Sequence, residues 1–279
     1  MQELQVLGLC RWSYPAAPGA FRKDAGETLA ETRAALYARE RMELRLFYLE
    51  HVVIPCLEAQ TDPDFTVIMV MGQGLPEPFR KRVLALIARV PQIVPRFLPE
   101  GLAHQQVCLD EMRLARQAGV AAVAEFRIDD DDAVAVDFVA RTRAQFAALR
   151  ELFEAEGKLA LDFNRGFILK TNADGVNVLP VVARYWTPGL VIFLPGDSPQ
   201  SLLNFHHARM WKRVTMLCWP RQPMFVRGAH GQNDSSINEN PHNSNRMADD
   251  PMEIPALVHK RFGIDLAALE LAWNAVRGD

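Results

Sequence analysis

Residues Phe65–Met71 read Phe-Thr-Val-Ile-Met-Val-Met, seven positions with neither a charge nor a turn former. A strand with no polar face must be covered on both sides, as in parallel sheets flanked by helices. The neighbouring segments fit such a sheet. Leu4–Cys10 reads as a first buried strand, Gln92–Leu98 as a third and Val120–Ile128 as a fourth. Between them lie helical patterns at Glu27–His51, Pro78–Val90 and Gln105–Ala118, with Ala133–Glu156 after the fourth strand. This alternation predicts an α/β protein of Rossmann type, a mostly parallel sheet flanked by helices.

After Gly157 the texture changes. Leu159–Leu169 and Val178–Leu194 read as strands broken by Gly and Pro, Ser201–Val214 as a helix and Ile254–Arg277 as C-terminal helices. The chain is expected to have two halves, 1–157 and 158–279, joined in one integrated domain with a mixed α+β second half. Residues 231–251 hold almost no large apolar side chain and are expected to form a polar loop, disordered or acting as a lid.

With 279 residues, 49% of them hydrophobic, the chain can bury a sizeable core, and its net charge of −3 gives no basic excess for nucleic acid. Cys10, Cys56, Cys108 and Cys218 are far apart and form no CxxC pair, so neither a zinc site nor a disulfide framework is expected. The N-terminus, MQELQVLGLC, has no basic n-region, so no signal peptide is expected, and no apolar stretch reaches the roughly 18–20 residues that span a bilayer. The expected location is cytoplasmic, or peripheral at the inner face of the membrane.

The fourth strand runs into Asp129-Asp130-Asp131-Asp132. Four adjacent carboxylates at a buried strand end repel one another, so some take up protons, turn to water or hold a cation. Mg²⁺ or Mn²⁺ with oxygen ligands is the natural counterion. The carboxyl ends of strands are also where open α/β sheets bind ligands. In extended geometry Asp129 and Asp131 face the same way and could share a ligand. Asp132, directly before the helix expected from Ala133, suits a helix N-cap.

These residues resemble a family. Strand-Asp-x-Asp is the metal motif of nucleotide-sugar glycosyltransferases with the GT-A fold. The segment 54–68, IPCLEAQTDPDFTVI, is similar to the stretch leading into their second strand. Ala115-Arg116-Gln117-Ala118-Gly119-Val120 resembles the segment before their Asp motif. Arg127-Ile128-Asp129-Asp130-Asp131-Asp132-Ala133-Val134 resembles the signature of bacterial rhamnosyltransferases. Where many relatives carry an acidic turn after the second strand, this chain has Met71-Gly72-Gln73-Gly74.

The resemblance implies a GT-A-like fold and a metal-dependent glycosyltransferase. The sugar, with rhamnose as a candidate, would move from a dTDP-, UDP- or GDP-linked donor to a glycan or lipid-linked acceptor. It implies Asp131 as the principal metal ligand with Asp129 beside it, and donor contacts from Arg11, Arg116, Asp129 and Asp130. A late histidine often completes such a metal site, and His230 is the candidate. An inverting reaction needs a base for the acceptor hydroxyl. Asp197 and the acids of 231–251 are the candidates, although Asp197 also suits a turn or cap. Two other readings are a catalytically silent sugar-nucleotide or polysaccharide-binding protein and an Asp-x-Asp phosphotransferase. The latter expects its aspartate after the first strand, where this chain has Cys10-Arg11.

Overall fold

The structure is a computed structural model and describes residues 3–18, 28–231 and 253–277. Strand β1 (Leu4–Arg11) is followed by α1 (Leu29–Leu36), α2 (Arg39–Tyr48) and α3 (Ile54–Glu58). Then come β2 (Thr66–Gly72), α4 (Glu77–Ile87), β3 (Ile93–Leu98), α5 (His104–Leu114) and β4 (Ala122–Asp129). Strand β5 (Ala133–Val134) precedes α6 (Phe138–Ala148) and α7 (Arg150–Glu156). The second half contributes β6 (Leu159–Asp162), β7 (Arg165–Asn172), β8 (Gly175–Val182), β9 (Leu190–Pro195), β10 (Thr215–Cys218) and β11 (Phe225–Ala229). Helices α8 (Ile254–Phe262) and α9 (Leu266–Arg277) follow.

Seven strands form one sheet in the order β10-β6-β9-β4-β1-β2-β3. All run parallel except β9, which is antiparallel to both β4 and β6. The α/β architecture is thus the one the apolar runs predict. Met69, Val70 and Met71 on β2 are fully buried, as a strand covered on both faces requires. A second sheet, β5-β11-β7-β8, is built almost wholly from the second half. One apolar cluster joins Val6, Phe126 and Phe138 to Phe163, Phe167, Val226, Phe262 and Trp273, so the halves share a core.

Several local expectations are corrected. The long helix predicted over Glu27–His51 is interrupted after Leu36, and beyond Tyr48 it passes through a π-type turn, Leu49–Val53, into α3. Pro55 sits at the second position of α3, directly after that π-type turn. No helix starts at Ala133. Ala133 and Val134 pair antiparallel with Val226 and Phe225, and the helix begins only at Phe138. Tertiary pairing with a strand some ninety residues away overrides local helix propensity here. Ser201–Val214 forms two short 3₁₀ turns, Leu202–Asn204 and His207–Lys212, instead of an α-helix. The polar segment expected as a lid, and its candidate acids, lie outside the described residues apart from Gly231. Among the described residues no helix is long and apolar enough to cross a membrane.

Candidate active site

Strands β1 and β4 run side by side, with Arg11 level with Asp129 at the carboxyl edge of the sheet. The acidic run begins at this edge and divides between two environments. Asp129 follows Arg127, whose guanidinium lies 3.2 Å from its carboxylate. Burial alone would raise the pKa of Asp129, but Arg127, Arg11 and Arg227 overcome that and hold it down at about 2. His104, at the start of α5, feels the same field. Burial first, then Arg11 and Arg127, push its pKa down to about 3, so it stays neutral.

The next two aspartates turn to α2 and β11. Asp130 accepts a hydrogen bond from Arg45 at 2.7 Å, and both side chains are almost fully buried. Arg45 also lies 3.5 Å from Asp131. Asp131 Oδ2 is 2.9 Å from His230 Nε2. The His230 ring stacks on Tyr48, with ring centroids 4.9 Å apart, which fixes the imidazole plane. Burial opposes ionisation of Asp131, yet the His230 contact and Arg45 keep its pKa below the ordinary carboxylate value.

Asp132 is not a helix cap. Its Oδ1 accepts the backbone N–H of Gly228 at 3.0 Å. Burial, then the charges of Asp131 and Asp129, raise its pKa well above normal, and burial raises that of Asp130 as well against the pull of Arg45. The approach of β11 is very close. A Cβ on Gly228 would meet the Asp131 carbonyl oxygen at 2.4 Å, so this position requires glycine.

The structure thus gathers Arg11 with Asp129, and Asp131 with His230. It holds Asp130 in an ion pair with Arg45, enclosed instead of facing a donor. Two predicted residues are not brought to this place. Arg116 is engaged elsewhere, pairing with Glu125 at 2.6 Å and donating to the carbonyls of Ser198 and Gln200. Asp197 follows β9, and because β9 runs antiparallel the loop after it lies beside Ala121, where Gly196 N donates to Ala121 O at 3.0 Å. The length of β4, about 23 Å at 3.3 Å per residue, separates that loop from the acidic run. Asp197 is therefore at the wrong edge of the sheet for a base acting at Asp131.

A divalent cation would find a partial ligand set. A carboxylate oxygen and an imidazole nitrogen converge at Asp131 and His230, a donor pair that suits Mn²⁺ or a similar ion. Asp129 stands apart among arginines, and among the described residues no three His, Cys, Asp or Glu side chains are grouped to hold a metal. Asp131 and His230 could thus supply two ligands of a cation.

Sequence reasoning gave no role to Arg45, Arg127 or Arg227, although Arg127 opens the stretch that resembles the rhamnosyltransferase signature. It also missed Asp162, at the carboxyl end of β6 and 1% exposed. One Asp162 oxygen accepts from Tyr185 N at 2.8 Å, and the other has no partner among the described residues. The only signal in the sequence was an aspartate ending the apolar stretch Leu159–Leu161.

The site is thus a split acidic turn among arginines at the carboxyl edge of the mostly parallel sheet of an α/β protein. The chain belongs to the glycosyltransferase family described as "Putative rhamnosyl transferase", whose model matches residues 5–240. No curated protein matches it. Among solved structures it is similar to S. aureus TarS 1-349 in complex with UDP-GlcNAc, with 12% identity, a TM-score of 0.41 and coverage of 85% of this chain and 62% of that one. The TarS 1-349 structure without that ligand gives 10% identity and a TM-score of 0.39, with coverage of 80% and 60%. This chain therefore spans about 60% of the length of that relative. A 4-diphosphocytidyl-2C-methyl-D-erythritol synthase from Anaerococcus prevotii matches at 9% identity and a TM-score of 0.32, with coverage of 91% and 95%. Likenesses this distant transfer no ligand and no residue role.

Proposed function

We propose that this chain is a metal-dependent glycosyltransferase that moves a sugar, with rhamnose as the first candidate, from a nucleoside-diphosphate donor to a glycan or lipid-linked acceptor. The single observation that carries the reading is the Asp131–His230 pair at the carboxyl edge of the sheet, in a chain of this family. Asp131 and His230 would hold Mn²⁺ or Mg²⁺, which when bound neutralises the charge building on the departing diphosphate. Arg11, Arg127 and Arg227 surround Asp129 and supply positive charge for donor phosphates. Asp130 and Arg45 hold the turn in place from behind. Such a protein would work in the cytoplasm or at the inner face of the membrane.

The test is calorimetric titration of UDP, GDP and dTDP in the presence and absence of Mn²⁺, with Asp131→Ala alongside the native chain. Nucleotide binding that needs Mn²⁺ and is lost in Asp131→Ala supports the reading, and unchanged affinity in the variant overturns it. One observation favours a second reading, a donor-binding protein without transferase activity. Asp197, the described acid expected as the base, lies at the opposite edge of the sheet. Donor binding without turnover on any acceptor would select that reading.

A further inference from the structure

A cavity of about 710 Å³ opens on the face of the sheet that carries Arg127 of β4 and Leu190 and Ile192 of β9. Its volume is within the range of roughly 300–1,000 Å³ typical of ligand pockets. The 3₁₀ segment His207–Lys212 and the residues flanking it form the outer wall, and His104 closes one side. The lining is strongly cationic. Arg127 lies within it, and Arg209, Lys212 and Arg213 stand exposed around it. Among the described residues Arg209, Lys212 and Arg213 meet no carboxylate. Lys212 and Arg213 instead lie over the rings of Trp211 and Phe205.

The acid in the lining, Glu125, is fully committed. It pairs with Arg116 at 2.6 Å and accepts from Ser201 Oγ at 2.7 Å and Leu202 N at 2.8 Å. Arg127 has its carboxylate in Asp129, but Arg209, Lys212 and Arg213 have none among the described residues, and such a group of like charges repels itself unless an anion shares the space. Guanidinium groups also match the oxygens of phosphates and carboxylates in geometry.

The cavity adjoins the acidic turn without being the same place. Arg127 bridges the two, lining the cavity and pairing with Asp129. Asp131 is reached instead from α2 by Arg45 and by His230, which follows β11. A donor held at Asp131 would leave the cavity open to a second substrate. The walls at 190–213 also belong to the half of the chain that does not carry the acidic turn.

We propose that this cavity binds the anionic part of the acceptor, a saccharide bearing phosphate or carboxylate groups, with Arg209 and Arg213 as its principal contacts. The inference rests on the transferase reading for the word acceptor, while the cavity's preference for anions is independent of it.

The test titrates the full chain, saturated with UDP and Mn²⁺, with glucose 6-phosphate, glucuronate and glucose. The expected result is measurable binding of at least one anionic sugar, at least tenfold tighter than glucose. The tighter of the two names the acceptor's charged group. The double variant Arg209→Ala/Arg213→Ala, changed only at exposed positions, should weaken that binding at least tenfold with UDP affinity unchanged. Anionic sugars binding no better than glucose would overturn the proposal, as would equal binding by the double variant. Anionic-sugar binding that appears only when UDP is left out would overturn it too, by assigning the cavity to the donor's own phosphates. Failure of UDP, GDP and dTDP alike to bind would instead sink the transferase reading, and anion selectivity of the cavity would then be read in the nucleotide-free chain.

Discussion

Asp131 and His230 are 99 residues apart in the chain and 2.9 Å apart in the fold. The contact joins the end of the central sheet to the end of the second sheet, since His230 directly follows β11. Their separate fixings, Tyr48 against the His230 ring and Arg45 beside Asp131, leave little freedom to either. His230→Ala should therefore reduce Mn²⁺-dependent UDP affinity by roughly tenfold or more, with metal-independent binding unchanged. Equal loss with and without Mn²⁺ would show that His230 serves only to position Asp131.

Arg45 and Asp130 form an ion pair with side-chain exposures of 5% and 10%. Removing one partner strands a buried charge, which typically costs about 3–5 kcal/mol. Arg45→Met should thus lower stability by that order in urea denaturation. Asp130→Asn in the same chain should recover part of it, because the stranded charge is gone. A double variant no more stable than Arg45→Met would refute this assignment.

Arg116 resembles a nucleotide contact in sequence and acts in the fold as a brace. Its ion pair with Glu125 is closed off, at 6% and 0% side-chain exposure, and ties the end of α5 to the loop after β9. Arg116→Ala should cost about 3–5 kcal/mol of stability and leave UDP affinity unchanged at temperatures where the variant is folded. A tenfold loss of UDP affinity in the folded variant would return Arg116 to the donor site.

The central sheet was legible because apolar runs such as Phe65–Met71 admit few alternatives. The place of the acidic run followed from strand order alone. The direction of β9 was not legible. Nothing in Leu190–Pro195 announces that β9 runs against its neighbours, and that reversal is what carries Asp197 to the far edge. The fate of each aspartate was also hidden, because it depends on partners at positions 45, 127, 228 and 230 that only tertiary packing brings together. Asp132 shows the limit clearly. Its sequence context suits a helix cap, and β11 takes it as a hydrogen-bond acceptor instead.

Gly228 places a backbone where no side chain fits. A Cβ added there would lie 2.4 Å from the Asp131 carbonyl oxygen and 2.7 Å from the Asp131 Cβ, and both would have to move. Neither is the end of a flexible side chain, so Gly228→Ala should displace the acidic turn and cost about 1–3 kcal/mol. The expected signature is loss of Mn²⁺-dependent nucleotide binding in a chain that still unfolds cooperatively. Native-like binding in Gly228→Ala would mean that β11 can retreat without disturbing Asp131.

Asp162 gives the protein a pH dependence of defined sign. Burial raises its pKa to about 7, and the Tyr185 N–H and Arg184 offset only part of that effect. In the unfolded chain the same carboxyl titrates near 4. Below about pH 4 both states are protonated and the group favours neither. Between about pH 4 and 7 the unfolded chain has released its proton while the folded one retains it, so stability falls as pH rises. The loss levels off above pH 7 at up to about 4 kcal/mol, at 1.36 kcal/mol for each pH unit of displacement. Asp162→Asn removes this titration. Measured by urea denaturation, the difference between the variant and the native chain should grow in the variant's favour by about 2–3 kcal/mol from pH 5 to pH 8. Comparing the two chains at each pH cancels every other titrating group they share. A difference that stays constant across that range would show that Asp162 is ionised in the folded protein, with its second oxygen satisfied by a partner outside the described residues.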